Sequence, residues 1–286
     1  MTKGVLPATP SLPRLLLRRL PFFYGWVILG CLCCAGFARQ GPAVATLSIF
    51  VEPLTREFGW SRAALSGAVS LGGVLAALSS PLIGPWVDRH GSRVTLSLAV
   101  LVTGAAMLLL SLTPSLLVFY LLFCIARMNW AGPFELGIYA AVNNWFVARR
   151  PLATSVATVA QMAGLVAMPL IAQLAMRQHG WRSGWLAIGA LTLMVGFLPV
   201  WLFMVRRPED LGLLPDRRSV GSDRSINRGE PNFSRRAALG TAGFWLLLLY
   251  TVLVYPVQAG VSLHQAAHLI DRGIPPTSAA TIVNAL

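Results

Sequence analysis

Seven long apolar stretches recur along this chain of 286 residues, at 24–50, 62–83, 94–112, 116–146, 152–175, 184–205 and 237–263. A helix needs about 20 such residues to cross the hydrocarbon core of a bilayer. Short polar or Gly/Pro-marked turns, such as Thr113-Pro114-Ser115, separate them. The apolar residues do not alternate in strand-length segments, which argues against a β-barrel. Composition agrees, with 56% of residues hydrophobic and 12% charged, against about 25% charged in a soluble domain. So little charge cannot cover a water-facing surface, and an ordinary soluble enzyme is excluded. The expected fold class is all-α, a polytopic helical membrane protein embedded in the lipid bilayer.

The 23 basic residues outnumber the 10 acidic ones, a net charge of +13. A nucleic-acid binder clusters such charge on a polar face, whereas here it punctuates apolar runs, so no nucleic-acid partner is expected. With the N-terminus placed in the cytoplasm, the inside segments hold sixteen basic residues and the outside segments five. The bias of Lys and Arg towards the cytoplasm then sets a multi-pass topology in the cell's inner (plasma) membrane, with a cytoplasmic N-terminus. The remaining two, Arg39 and Arg127, fall inside spans.

The segment from Arg14 to Cys31 imitates a signal peptide and a lipoprotein box. Its apolar run continues to Phe50, beyond the roughly 7–15 residues of a signal core, so it reads as a retained first span. Cys31, Cys33, Cys34 and Cys124 all sit in apolar runs and read as packing residues. His264 and His268 share a helix face, but two histidines alone read as structure rather than a metal site. No metal, no cofactor and no catalytic motif is expected.

The chain divides into a cytoplasmic N-terminal segment (1–21), a six-helix bundle (22–205), a linker rich in Arg, Ser, Asp and Gly (206–236), and the start of a second bundle (237–286). Six spans, a long basic loop and further spans is an organisation in halves, as in transporters built from repeats. After the turn at 271–277 a new helix begins at Ala279 and the sequence stops at Leu286. So short a piece cannot cross a bilayer, and the reading is a chain cut as its eighth span begins.

The turn after the second span reads Gly84-Pro85-Trp86-Val87-Asp88-Arg89-His90-Gly91-Ser92-Arg93. It resembles the major facilitator signature G-x-x-x-D-[RK]-x-G-[RK]-[RK], with Ser92 in a usually basic position. Gly84 is expected to allow close helix approach and Gly91 a tight turn. Asp88, Arg89 and Arg93 are expected to form a charge cluster that gates one side of the membrane. Tyr24-Gly25-Trp26, Arg149-Arg150-Pro151-Leu152-Ala153, Gly180-Trp181-Arg182, Phe244-Trp245-Leu246-Leu247 and Asp271-Arg272-Gly273-Ile274 are similar to the monocarboxylate-transporter and oxalate/formate-antiporter branch. Phe22-Phe23 stands where animal members carry an acidic lead-in. The resemblance implies a twelve-span parent of two bundles, monomeric when complete, that moves small organic anions, often with protons.

Arg39 lies about 22 Å along the first span and Arg127 about 16 Å into the fourth, at 1.5 Å per residue. A charge at such depth faces a cavity or a partner, and the resemblance implies that spans one and four line the central cavity. Two readings stay open: anion binding, because Arg grips a carboxylate with two parallel bonds, and structural ion pairing, with one arginine in each role as the third case. Glu135 could neutralise an arginine of a neighbouring span or carry a proton. On the seventh span Tyr255 and Gln258 share a face and are candidate substrate contacts. Gln161, among small residues, reads as helix packing. The expected function is secondary active transport of a small organic anion by alternating access, proton-coupled or by exchange. The alternatives are another solute, drug- or sugar-like, or an inactive fragment.

Overall fold

A computed structural model describes residues 12–216, 235–254, 257 and 272. Among these every regular element is helical. A short helix α1 (Leu12–Arg19) precedes the first span. That span is two helices, α2 (Gly25–Ala38) and α3 (Val44–Phe58). The break falls at Arg39-Gln40-Gly41-Pro42, where Pro42 lacks an N–H and its ring crowds the preceding turn. Across the break the Gln40 carbonyl accepts from the Ala43 N–H at 3.1 Å and from the Thr46 hydroxyl at 3.0 Å. The helix then runs past the expected end at Phe50 and stops at Gly59, φ 71°. The sequence predicts one helix, loosened at Gln40-Gly41-Pro42 and ending near Phe50; the charged end of α3 beyond Phe50, with Glu52, Arg56 and Glu57, extends past the apolar span.

Spans two and three form α4 (Arg62–Leu110), capped by the Ser61 hydroxyl accepting from the Ala64 N–H at 3.1 Å. Its 49 residues would reach about 74 Å if straight, more than twice a bilayer core. Gly91, at φ 83° and ψ 165°, divides it into two spans. That region of backbone space is essentially glycine's alone. A side chain there would also start 2.5 Å from the Arg206 Cγ. Span four is α5 (Leu116–Ala131) and α6 (Pro133–Trp145), broken at Gly132, with Pro133 where its missing N–H costs nothing. Span five is α7 (Arg150–His179). Span six joins α8 (Trp181–Leu191) through a π-helical stretch (Thr192–Phe197) to α9 (Leu198–Phe203).

Two apolar clusters hold this unit together. One, towards the end bearing the Gly91 turn, gathers Tyr24, Ile28, Leu32, Phe134, Trp145 and Met204. The other, towards the opposite end, gathers Phe50, Leu54, Leu65, Phe123, Trp181 and Trp185. Spans one, four and five each contribute to both, so the residues between their contributions form a layer separating the clusters. The spans meet closely where side chains are small. At Gly164 an added Cβ would lie 2.5 Å from the Phe37 carbonyl oxygen, and such contact is what associates helices in lipid. Outward-facing leucines such as Leu78 and Leu82 stay exposed, as a lipid-facing surface requires.

Residues 206–216, at the head of the expected linker, fold back on the bundle. A 3₁₀ turn (Pro208–Leu211) leads to Asp216. One Asp216 carboxylate oxygen accepts from the N–H groups of Val147 and Ala148, at 2.5 and 3.2 Å. The other accepts from Arg149 N–H at 3.0 Å. A carboxylate there pairs free donors and suits the positive end of α7. The chain separates into two units at residue 220. In the second, α10 (Arg235–Leu239) overlaps the start of the expected seventh span and α11 (Ala242–Val254) lies within it, with the Thr241 hydroxyl accepting from the Phe244 N–H.

Candidate substrate site

The layer between the apolar clusters holds both intramembrane arginines. Arg39 follows the last residue of α2 and is 5% exposed. It forms an ion pair with Glu135, in the first turn of α6. Its Nη1 donates to Gln161 Oε1 of α7 at 2.7 Å. Spans one, four and five thus meet on a single guanidinium. The break at Gly132 starts a new helix just before Glu135, and a helix N-terminus favours a carboxylate.

Arg127, on α5, has its guanidinium carbon 4.0 Å from the centre of the Trp130 ring. The Arg39 guanidinium lies over the same ring at 4.6 Å. Arg127 Nη1 reaches the Pro42 carbonyl at 3.5 Å, a long contact, and its buried Nε–H has no partner among the described residues. Among the described residues no carboxylate pairs with it. The Trp130 Nε1–H donates to Gln40 Oε1 at 3.2 Å. The Gln161 amide nitrogen is also buried without a partner. Among the described residues, then, Arg39 has a carboxylate partner and Arg127 has none. Gln40, Trp130 and Gln161 were not singled out for the site from sequence. The available signals were the place of Trp130 one turn after Arg127 and the depth of a strongly polar Gln161. Tyr255 and Gln258 lie outside the described residues.

Two features mark the signature turn among the described residues. The close approach expected at Gly84 is absent among the described residues, where nothing lies within 4 Å of a side chain's starting point. The exposed Asp88 offers its backbone carbonyl, not its carboxylate, to Arg206 Nη2 at 3.1 Å. Arg89 is exposed. Arg93 donates to the Trp201 carbonyl at 2.8 Å and lies over that ring. Spans two, three and six are therefore tied together around Gly91. Ser92 is fully buried, a place that does not suit the usual basic side chain. The four cysteines are free, and no metal-binding cluster occurs among the described residues.

Broken apolar helices around buried charges describe a polytopic helical membrane protein. The Major Facilitator Superfamily profile matches residues 28–286. The chain belongs to that superfamily, whose members are transporters rather than enzymes. It is 26% identical over 272 residues to monocarboxylate transporter 4 of Rattus norvegicus, covering 92% of this chain and 54% of that protein. Monocarboxylate transporter 3 of Rattus norvegicus is 32% identical over 180 residues, 59% of this chain and 34% of that protein. The oxalate:formate antiporter of Oxalobacter formigenes is 26% identical over 202 residues, 70% of this chain and 45% of that protein. The chain thus spans about half, or less, of the length of these relatives.

Proposed function

We propose that the chain serves secondary active transport of a small organic anion, monocarboxylate-like, by alternating access. The observation that carries this reading is the charge of the buried layer. Among the described residues the layer holds two arginines, Arg39 and Arg127, and one carboxylate, Glu135, which pairs with Arg39; this leaves one positive charge in a region where charge is costly. A monoanion on Arg127 would neutralise it, and a carboxylate matches the fork of an arginine. The relatives' names, a monocarboxylate transporter and an oxalate:formate antiporter, point to the same class of solute.

Glu135 gives the layer a route to proton coupling. When Glu135 takes a proton, Arg39 loses its counter-charge and the layer gains a positive charge. Anion affinity then rises. Tyr255 and Gln258 of span seven enter the proposal from sequence alone, as candidate substrate contacts. Gly84, Asp88, Arg89, Gly91 and Arg93 form the gating turn: Gly91 and Arg93 join spans of one bundle, while the exposed Asp88 and Arg89 are free to meet a partner that moves. This reading puts the protein in the plasma membrane, with the N-terminus and the 206–236 segment on its cytoplasmic side.

The test uses the longest chain that the gene encodes, purified, with acetate, lactate, oxalate and uncharged glycerol as titrants. Losing a charge-assisted bond at a buried site costs about 1.5–3 kcal/mol, roughly tenfold or more in affinity. Arg127→Gln should show that loss for carboxylates while melting as the unaltered protein does. A well-folded Arg127→Gln protein with unchanged affinity for every carboxylate overturns the proposal.

A further inference from the structure

Trp130 touches more of the buried charge than packing requires. Its half-buried side chain carries the Arg127 guanidinium at 4.0 Å and the Arg39 guanidinium at 4.6 Å. It also pins itself to Gln40, in the break of span one, by its indole N–H at 3.2 Å. Two like charges over one ring repel each other. The negative face of an indole, the strongest such face among side chains, offsets that repulsion. The position follows from local structure. Trp130 is three residues after Arg127 on α5, and therefore its neighbour on the helix surface. The break at Gly132 then brings α6 and Glu135 to Arg39.

A guanidinium lying over an indole face uses no N–H donor to stay there. Among the described residues the Arg127 Nε–H accordingly has no partner, and the hydrogen bond from its Nη1 to Pro42 is long. Donors of this kind lie in one plane and suit an acceptor with two oxygens in a plane. A spherical anion gains charge attraction from the same group but no matched pair of bonds. We propose that Trp130 is the positioning residue of the anion site, holding the Arg127 guanidinium so that it prefers planar carboxylates over spherical anions. This inference rests on the anion site proposed above.

The experiment measures acetate and chloride affinities, with melting temperatures, for the longest chain the gene encodes and its Trp130→Phe, Trp130→Leu, Trp130→Met and Arg127→Gln variants. Trp130→Phe keeps a ring but loses the bond to Gln40, and should bind acetate about two- to fivefold more weakly with chloride unaltered. The two ring-less variants should lose about tenfold in acetate affinity and little in chloride affinity, so that selectivity collapses. Equal losses for both anions, or none, in a folded ring-less variant overturn the proposal. Should neither ring-less variant fold, Trp130→Phe decides, and unchanged acetate affinity counts against it. Loss of acetate binding in Arg127→Gln beside an unaffected Trp130→Leu sinks this inference alone. No response to either substitution sinks the anion site as well.

Discussion

Glu57 and Arg39 show how differently an arginine–carboxylate pair behaves at the membrane edge and in its interior. Glu57, near the end of α3, accepts from the Trp181 indole N–H and pairs with Arg182 at 2.8 Å. The Trp181 bond first, then Arg182, hold its pKa below the usual 4.5. The ionised form is thus the one that the fold favours. Its contribution is complete above the ordinary carboxylate range and fades as pH falls through the lowered value. Melting should lose stability on acidification below about pH 4.5, and Glu57→Gln should flatten that part of the profile. Arg39 is a different case. Removing one partner of a buried pair strands the other charge and costs about 3–5 kcal/mol, less here because the Glu135 side chain is 39% exposed. Arg39→Leu should therefore lower the melting temperature sharply. The Arg39→Leu/Glu135→Gln double variant should recover most of the loss. Equal instability of single and double variants would show that the pair does not couple.

At the scale of elements, the joints do more than the helices. Gly91 occupies backbone space that costs other residues about 1–3 kcal/mol, and Arg206 fills the space where a side chain would go. Gly91→Ala should reduce melting temperature and folded yield, whereas Gly84→Ala, in open space among the described residues, should be mild in the same assay. The strap at 206–216 is a second joint. Asp216 holds three backbone N–H groups ahead of α7, and loss of a cap of this kind costs about 0.5–2 kcal/mol. Asp216→Ala should speed limited proteolysis within 206–220 before the bundle melts. Asp216→Asn, which keeps an acceptor, should sit between. Identical cleavage rates in all three proteins would show that the strap is not held by this residue. The strap was not legible from sequence, because an Arg- and Pro-rich stretch carries no signal for which distant backbone it will cap.

For the whole molecule the testable matter is orientation. The sixteen-to-five distribution of basic residues leads us to place the N-terminus and the 206–236 segment in the cytoplasm. In a cysteine-free background in intact cells, a membrane-impermeant thiol reagent should reach Ser115→Cys and miss Ser222→Cys. Labelling of the second and not the first would invert the topology, and with it the side on which the Asp88–Arg89 turn acts.

The sequence alone determined that the chain is a helical membrane protein, how many spans precede its basic linker, and where the signature turn bends. These follow from length and polarity: about 20 apolar residues have only one hydrogen-bonded way to cross lipid, and Gly91 is a local backbone requirement. It also placed Arg39 and Arg127 at a depth that demands an explanation. Which partner answers each charge was decided by tertiary structure. Arg39 meets residues 96 and 122 positions away, Glu135 and Gln161, while Arg127 finds a tryptophan instead of a carboxylate. Such pairings depend on how broken spans rotate and pack against one another, through contacts such as Gly164 on Phe37. Periodicity along one helix records the face that is buried, but not the side chain that waits on the neighbouring helix.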